Sequence, residues 1–351
     1  MTTSTAPMST PEPLAIRSVL GALFEGQNLD HDTAYAFMNA VFSQQVNDAQ
    51  LGAALGILRQ RGESPDELAG FLRAMLDHAR TIDFDGEILV DPVGTGGDGL
   101  NTYNISTMSA IVMAGLDVPV AKHGNRKASS RSGSSDALES AGVPIISDIP
   151  RLEKALREVG ITFLFAPNHH PVLRHVAELR RTLGVMTTFN LLGPLANPAP
   201  VTHQLLGVAR ADVLEDYAKA AASRGVKAYV VHGDQGADEA LPSGDFLIVR
   251  GAGEPVERVD PRSYGAPLCD LSDLQGGSPE QNARMLWEVL QGKGSEPVAH
   301  AVALNVALML EMLGRADSRK DAFEQAMCAI RSGQSAERLQ QYIDAVSEVS
   351  P

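Results

Sequence analysis

The sequence predicts an α/β protein: a small all-helical N-terminal domain followed by a large domain with a mostly parallel sheet flanked by helices. Three observations support this prediction. Apolar residues recur three and four positions apart near the start, short apolar runs alternate with helical stretches in the middle, and helical spacing returns toward the end. With 351 residues, 44% of them hydrophobic, the chain can bury a sizeable core.

The N-terminal helical domain is predicted from three segments, "AYAFMNAVF", "AQLGAALGIL" and "ELAGFLRAML", which polar breaks such as "RQRGESPDE" separate. Residues 1–13 have neither an apolar core nor a basic flank, and we expect a disordered tail there. We assign residues 14–84 to the helical domain, joined in space by helices near 168–186. Residues 85–351 form the large α/β domain.

The sheet of the large domain is predicted from short apolar runs that end in glycine, proline or polar residues. They are "EILVDPV", "VPVAKHG", "ITFLFAP", "HQLLGVA", "KAYVVHG" and "DFLIVRG". Helical stretches lie between most of them, which favours parallel strands. From residue 279 onward, "NARMLWEVL", "AHAVALNVALMLEML" and "SAERLQQYIDAVSEV" have helical spacing and are predicted to cover the faces of the sheet.

The composition excludes several classes of protein. A net charge of −14 makes nucleic acid a poor partner, so an anionic ligand must be held by a local cluster of donors. No apolar run is long enough to cross a membrane. The two cysteines, Cys269 and Cys328, are too few for a disulfide framework, and we expect buried thiols in a soluble, cytoplasmic protein.

The segment "DPVGTGGDGLNTYNIST" contains Gly94, Gly96 and Gly99 in the spacing of a dinucleotide-binding loop. That class of site also needs an acidic residue after the next strand, but "VPVA" is followed by Lys122 and His123. A Walker loop is excluded because the required lysine and hydroxyl residue do not follow the glycines. A plain glycine-rich turn remains the alternative at this stage.

A polyanion site fits the segment better. Backbone N–H groups of residues 94–98, polar side chains of "NIST" and the N-terminus of the following helix would all donate to an anion. Ser106 or Thr107 could equally be a helix N-cap. The segment "KHGNRKASSRSGSSD" supplies further donors, and in it we interpret Lys127 and Arg131 as exposed loop residues.

Three long runs resemble the anthranilate phosphoribosyltransferase family of tryptophan biosynthesis. They are "GTGGDGLNTYNIST", "KHGNRKASSRSGSSDALESAGV" and "FLFAPNHHPVLRHVAELRRTLGVMTTFNLLGPLANP". The resemblance covers residues 14 to 345 and includes "GADEALPSG". It implies a nucleoside-phosphorylase-like fold, a homodimer formed through the helical domain, and transfer of the 5-phosphoribosyl group from phosphoribosyl diphosphate to anthranilate.

The resemblance also implies binding residues in the large domain. Magnesium, as two ions per monomer, would be held by Ser106, Asp238 and Glu239. By exposure alone an Asp-Glu pair would be a solvated surface feature. The positions that match phosphoribosyl diphosphate contacts are Gly94, Gly97, Asp98, Thr102, Asn104, Ile105, Ser106, Thr107, Lys122, His123, Gly124, Asn125, Arg126, Ser129, Ser130 and Ser134.

For the acceptor, the resemblance implies that Arg180 grips the anthranilate carboxylate. Without it, Arg180 would be interpreted as a solvated helix charge, as Arg181 beside it still is. The segment "GPLANP" is expected to form a rigid turn that closes the acceptor channel, and Met186 stands where many relatives have arginine. The anthranilate contacts are Gly94, Asn125, Arg180, His123, His170, Gly193 and Pro194, of which the two histidines could instead be structural.

The implied reaction needs no general acid, general base or covalent nucleophile. Lys122, the metal and the loop amides would neutralise the departing diphosphate. The alternatives are a pyrimidine nucleoside phosphorylase-like glycosyl transfer and a non-catalytic relative that binds nucleic acid. The glycine loop with lysine, histidine and serine that is typical of those phosphorylases is absent from this sequence. The net negative charge of the chain disfavours nucleic-acid binding.

Overall fold

The computed structural model describes residues 15–126 and 133–347, in which a helical unit precedes a seven-stranded sheet. The tail expected at residues 1–13 lies outside this range. Every N-terminal segment with helical spacing is a helix, as predicted. The helices of the unit are α1 (Ile16–Phe24), α2 (His31–Phe42), α3 (Asp48–Arg61) and α4 (Pro65–Asp77).

The N-termini of α3 and α4 are fixed by capping boxes. Asn47 accepts from the backbone of Gln50, whose side chain accepts from the backbone N–H of Asn47 in return. Ser64 and Glu67 make the same reciprocal pair at α4. These bonds satisfy N–H groups that have no partner inside the helix, so each helix begins at a defined residue.

All six predicted strands are present, and a seventh, which the sequence did not predict, completes the sheet. The order is β3-β2-β1-β4-β5-β6-β7, with the first five strands parallel and the last two antiparallel. The strands are β1 (Val90–Gly94), β2 (Val120–Gly124), β3 (Ile161–Phe165), β4 (His203–Gly207), β5 (Lys227–Gly233), β6 (Phe246–Val249) and β7 (Glu257–Val259).

Helices cover both faces of the sheet. Neighbouring residues of one strand point to opposite faces, so Leu205 packs into one apolar cluster and Leu206 into the other. The first cluster contains α5, α13, α14 and α15; the second joins α10, α11 and the N-terminal unit. The remaining helices are α5 (Ile105–Gly115), α6 (Ser134–Ser140), α7 (Ile149–Val159), α8 (Ala166–His169), α9 (Arg174–Leu183), α10 (Thr188–Leu195), α11 (Leu214–Ala222), α12 (Pro279–Leu290), α13 (Glu296–Met312), α14 (Arg319–Ser332) and α15 (Gln334–Ser347).

The strand order decides where a ligand can bind. The chain runs outward from β1 through β2 to β3 and then crosses back to place β4 on the other side of β1. The connections that leave β1 and β4 therefore diverge, which opens a crevice at the carboxyl ends of these strands. The glycine-rich segment follows β1 and lies at this switch point.

Two further expectations concern the surface and its surroundings. Cys269 is half-buried and Cys328 is exposed, so the expectation that both thiols are buried is wrong. Cys328 lies on the exposed face of α14. In the part of the chain that the structure describes, none of the helices combines the length and apolarity that a membrane span requires.

The fully buried carboxylate of Glu67 generates a stability prediction. It accepts from the Leu29 and Ser64 N–H groups, and Arg61 Nη2 lies 2.6 Å from both of its oxygens. Glu67→Ala leaves Arg61 without its anion and should lower the free energy of unfolding by about 3–5 kcal/mol. Urea denaturation followed by circular dichroism measures the change.

A matched variant, Glu67→Gln, keeps the side-chain volume and one oxygen, which can accept from one of the two N–H groups, and it should lose less stability than Glu67→Ala. Unchanged denaturation of Glu67→Ala would contradict the importance of this pair.

Candidate functional site

The glycine-rich loop leaves β1 at the switch point. Gly96 and Gly97 have φ of 64° and 78°, in the left-handed region where a Cβ is unfavourable. The Thr95 N–H donates to Gly207 O at 2.9 Å, which anchors the loop to the end of β4. An ideal Cβ on Gly94 would lie 2.2 Å from Asp238 Oδ2, so the acidic loop after β5 reaches this edge only because Gly94 has no side chain.

The carboxylates of Asp238 and Glu239 accept hydrogen bonds from the glycine loop and from the N-terminus of α5. The Gly96 N–H donates to Asp238 Oδ2 at 2.6 Å. Glu239 accepts from Thr102 Oγ1 at 3.2 Å and from the Ser106 N–H at 3.3 Å. Glu239 is 9% exposed, so the solvated-surface interpretation of this pair does not hold for it. Two carboxylates therefore lie against a set of hydrogen-bond donors that could also bind an anion.

The electrostatics of this pair favour a cation. Burial and the nearby Asp98 raise the pKa of Asp238 to about 7. Burial, followed by Asp238 and Asp98, raises the pKa of Glu239 well above its ordinary value. Repulsion among carboxylates in a buried place is relieved by a hard cation with oxygen ligands.

The residues predicted to bind magnesium can supply only some of the ligands that such a cation needs. Within residues 15–126 and 133–347, no group of three or more His, Cys, Asp or Glu side chains is arranged to hold a metal. Asp238, Glu239 and the hydroxyl of Ser106 would leave coordination positions open. Those positions would need oxygens from a bound anion, which is the arrangement magnesium adopts with phosphates.

The start of α5 corrects the capping alternative. Asn104, rather than Ser106 or Thr107, is the N-cap residue of α5, and its side chain makes no cap bond. Asn282 Nδ2 donates to Asn104 Oδ1 at 3.0 Å, which fixes that amide. Thr107 is fully buried and its hydroxyl finds no partner among the described residues, while Ile105 is also fully buried. Ser106 is therefore the residue of the first turn that contacts a carboxylate, and it does so through its backbone N–H.

The second donor segment begins at the end of β2. Lys122 is 3% exposed, and its Nζ donates to His123 O at 3.1 Å. Burial lowers the pKa of Lys122, and the charges of Asp91, Glu239 and Asp238 oppose this. The ammonium group of Lys122 is therefore close enough to Asp238 and Glu239 to feel their charge. A diphosphate bound beside these carboxylates would be near this cation.

The rest of this segment is described only in part. Ser134 Oγ donates to Asn125 O at 3.1 Å, and an ideal Cβ on Gly124 would lie 2.5 Å from Ser134 Oγ. Arg126 Nη1 lies 2.6 Å from Glu139 Oε2, so this guanidinium already has a partner. The predicted residues Ser129 and Ser130 lie outside the described residues, as do Lys127 and Arg131.

Arg180 lies on α9, whose Leu179 packs against the same apolar cluster as the N-terminal helices. It is half-buried, its guanidinium carbon lies 5.4 Å from the centroid of the Phe189 ring, and burial lowers its pKa. In the described chain it has no carboxylate partner. Arg181 is exposed and pairs with Glu178 at 2.5 Å, which confirms its interpretation as a solvated charge. A stacked cation without an anion is suited to bind one.

The two predicted histidines are buried against each other. The rings of His123 and His170 are 5.4 Å apart and edge-on, and His170 Nε2 donates to Ala196 O at 2.8 Å. Burial lowers the pKa of His123 well below its usual value and that of His170 to about 4. Both imidazoles are therefore neutral at pH 7.

The "GPLANP" segment and Met186 complete the acceptor side. Gly193 and Pro194 belong to the last turn of α10, so the expectation of a rigid turn there is wrong for these residues, and only the residues after Leu195 leave the helix. Met186 is half-buried, and its sulfur would lie 2.9 Å from an ideal Cβ on Gly97. Met186 thus links the segment between α9 and α10 to the glycine loop.

Sequence reasoning missed the buried carboxylate of Asp91. It accepts from Asn197 Nδ2 at 2.8 Å, from Gln204 Nε2 at 3.3 Å and from the His123 N–H at 3.3 Å. Burial raises the pKa of Asp91 to about 6. A charged residue inside the apolar run "EILVDPV" was the signal that could have identified it, since a buried carboxylate requires dedicated partners.

Two family models match this chain. The glycosyl transferase family helical bundle domain matches residues 17–79, and the glycosyl transferase family a/b domain matches residues 86–336. The second match alone spans more than half of the chain.

Relatives and solved structures carry the same name. An anthranilate phosphoribosyltransferase from Deinococcus radiodurans is 43% identical over 325 residues, which cover 91% of this chain and 96% of the relative. The anthranilate phosphoribosyltransferase structure from Thermus thermophilus superposes with a TM-score of 0.89 at 39% identity, covering 94% of this chain and 99% of that one. The structure of the Saccharomyces cerevisiae enzyme in complex with PRPP and Mg superposes with a TM-score of 0.87 at 28% identity. The match covers 95% of this chain and 98% of that one.

The buried His170 generates a prediction for the pH dependence of stability. Its folded pKa of about 4 lies below the ordinary unfolded value near 6.5, so the unfolded state binds the proton more readily. The stability from this group is present above pH 6.5 and is lost as the pH falls toward 4. Because His170→Gln does not titrate, the advantage of the native chain over it should shrink by roughly 2 kcal/mol between pH 7 and 5.

Urea denaturation of both proteins at a series of pH values measures this difference. A difference that stays constant with pH would show that His170 titrates normally in the folded protein.

Proposed function

Because this chain belongs to the anthranilate phosphoribosyltransferase family, it transfers the 5-phosphoribosyl group of phosphoribosyl diphosphate to the amino group of anthranilate, and we propose that the transfer occurs at the switch-point crevice. The products are N-(5-phosphoribosyl)anthranilate and diphosphate. The observation that carries the assignment is the meeting of Asp238 and Glu239 with the donors of the glycine loop and α5.

Phosphoribosyl diphosphate would replace the carboxylates at these donors. The Gly96 N–H, the Ser106 N–H and the Thr102 hydroxyl now bind carboxylate oxygens, and diphosphate oxygens have the same charge and acceptor chemistry. Asn104, Lys122 and the segment 123–134 would complete the binding of the phosphoribosyl group.

Two magnesium ions are part of the proposal, with Asp238, Glu239 and Ser106 as their protein ligands. The raised pKa values of the two carboxylates support it. Magnesium would supply positive charge that stabilises the diphosphate as it leaves. The Saccharomyces cerevisiae relative has been solved with PRPP and Mg.

Anthranilate would bind between the glycine loop and α9. Arg180, which forms no ion pair with any described residue, would bind its carboxylate. Gly94, Asn125, Gly193 and Pro194 would line the pocket. The neutral pair His123 and His170 would form its inner wall. A structure of the Saccharomyces cerevisiae relative contains 4-fluoroanthranilate.

In the proposed mechanism, the amine nitrogen attacks the anomeric carbon from the face opposite to the diphosphate, whose C–O bond breaks. Lys122 and the loop amides neutralise the negative charge that develops on the leaving group. The nitrogen then loses a proton, which solvent can accept because the N-alkylated aromatic ammonium is strongly acidic. Holding both substrates in line provides much of the remaining rate enhancement.

We include a homodimer formed through the helical unit and a cytoplasmic location in the proposal. Phe24 at the end of α1 is 69% exposed, and a large apolar side chain at this position supports a contact surface there. The cysteines at 269 and 328 are both free thiols, which supports a reducing compartment.

The reaction is tested by mixing the purified protein with phosphoribosyl diphosphate, magnesium and anthranilate and following the loss of anthranilate fluorescence. Parallel mixtures without magnesium, and with inorganic phosphate and a pyrimidine nucleoside, test the alternative activity. Turnover only in the nucleoside mixture would overturn the proposal.

The metal ligands generate a prediction. Asp238→Asn combined with Glu239→Gln should remove most magnesium-dependent turnover and leave the circular dichroism spectrum unchanged, because these carboxylates hold ions rather than support the core. Asp234→Asn is the matched control, since Asp234 lies in the same loop and pairs with Arg258 at 3.2 Å instead. Full turnover of the double variant at limiting magnesium would refute the assignment.

The acceptor carboxylate generates a second prediction. Arg180→Ala should raise the KM for anthranilate and leave the KM for phosphoribosyl diphosphate nearly unchanged. The loss of a charge-assisted contact in a half-buried place should cost about 2–4 kcal/mol, or roughly 30- to 1000-fold in kcat/KM. Steady-state kinetics with each substrate varied in turn measures both values.

Two controls distinguish a direct contact of Arg180 with the substrate carboxylate from a purely structural role. Arg181→Ala should change neither KM, because Arg181 is exposed and paired with Glu178. Aniline lacks the carboxylate and should lose little further activity in Arg180→Ala. An equal loss for aniline and anthranilate would make Arg180 structural and would redirect the search to Arg174 or Arg126.

A further inference from the structure

The carboxyl end of α10 is held by side chains from elsewhere in the chain. Residues 194–197 present four consecutive carbonyl groups, and each of them accepts a side-chain hydrogen bond. Gln204 Nε2 donates to Pro194 O at 3.0 Å, Arg224 Nη1 donates to Leu195 O, His170 Nε2 donates to Ala196 O at 2.8 Å, and Arg224 Nη2 donates to Asn197 O at 3.2 Å.

This arrangement fits the chemistry of a helix end. The last carbonyls of a helix have no partner inside it and carry a partial negative charge. Arg224 meets both needs, since its planar guanidinium can bridge two carbonyls and its charge opposes the helix dipole. It is half-buried and forms no ion pair within residues 15–126 and 133–347, although the charge of Asp91 acts on it. The side chain is thus dedicated to this segment.

The same segment supports the inner wall of the proposed acceptor pocket. It begins at Pro194, and the His170 ring is bonded to it through Ala196 O. Asn197 Nδ2 donates to Asp91 Oδ2, and the other oxygen of Asp91 accepts from the His123 N–H. A displacement of residues 194–197 would therefore move both imidazoles.

We propose that Arg224 and Gln204 are positioning residues that fix the acceptor-facing end of α10 without touching either substrate. The inference rests on the proposed function of this crevice. It assigns the two residues mainly to the anthranilate side, because residues 194–197 make none of the described hydrogen bonds to the glycine loop or to the 238–239 carboxylates. On the phosphoribosyl diphosphate side they reach only the end of β2, through the bonds of Asn197 to Ala121 O and to Asp91.

Arg224→Met tests the proposal, since methionine keeps much of the length and apolar volume of arginine but donates no hydrogen bond. The KM for anthranilate should rise by about 10- to 100-fold, the range that a small displacement of a binding wall produces. The KM for phosphoribosyl diphosphate should stay within about 2-fold. Arg224→Lys can reach one carbonyl and should recover part of the loss.

Arg338→Met is the matched control for a purely structural effect. Arg338 Nη1 also donates to a backbone carbonyl, Val159 O at 2.8 Å, and its Nη2 pairs with exposed Asp117. The control should lower the melting temperature by an amount similar to Arg224→Met and leave both KM values unchanged. Gln204→Leu, which removes the bonds to Pro194 O and to Asp91 Oδ2, provides a second variant if Arg224→Met does not fold.

The outcomes separate this inference from the function on which it rests. Calorimetry of the native protein with anthranilate, and with phosphoribosyl diphosphate plus magnesium, comes first; if neither binds, the proposed function fails. If both bind to the native protein, selective weakening of anthranilate binding in the Arg224 or Gln204 variants supports the inference. Equal weakening of both ligands, unchanged binding of both, or the same anthranilate loss in Arg338→Met would overturn it.

Discussion

The close approach of the 238–239 loop to the ends of two strands is the constraint on which the rest of this site depends. Gly94 and Gly207 are partners in the register of β1 and β4. An ideal Cβ on Gly207 would lie 1.5 Å from Asp238 O, and one on Gly94 would lie 2.2 Å from Asp238 Oδ2. With both side chains absent, the acidic loop lies directly on the sheet edge and meets the donors of the glycine loop and α5.

In the proposed function, the crevice has opposite charges on its two sides. The half-buried carboxylate of Asp238 and the buried carboxylate of Glu239 would lie on one side. Arg180, which has no ion-pair partner among the described residues, would lie on the other, with two neutral imidazoles between them. In the proposed function, an acceptor that carries a carboxylate is oriented by this field, since its anion is attracted to Arg180 and repelled by the acidic loop. Its amine then faces the donor substrate.

Residue patterns predict those parts of the fold that depend on local sequence. The apolar runs predicted six strands, and the glycine-rich segment together with the polar residues after it indicated an anion site. β7 was not predicted because "ERV" has no apolar run and is held by its pairing with β6. The contacts of Arg224 and Gln204 join residues 10 to 29 positions apart through side chains, and no periodicity records such pairs.

Asp91 lies between these two cases. Its position inside an apolar strand marks it as unusual, but its partners Asn197 and Gln204 come from segments that only the strand order brings together. The exposure of Cys328 was predicted wrongly for a related reason: cysteine is usually buried, and composition cannot show which helix face lacks a neighbour.

The contact between Met186 and Gly97 bears on how this protein could be re-engineered. A thioether packs without directional preference, so this contact demands little from either side. The strand-end glycines tolerate no side chain, whereas α9 and the residues that follow it are bounded by such an undemanding contact. Under the proposed function, libraries that seek new aromatic amines can therefore be confined to α9 and its linker to α10, while the proposed phosphate-binding edge is left unchanged.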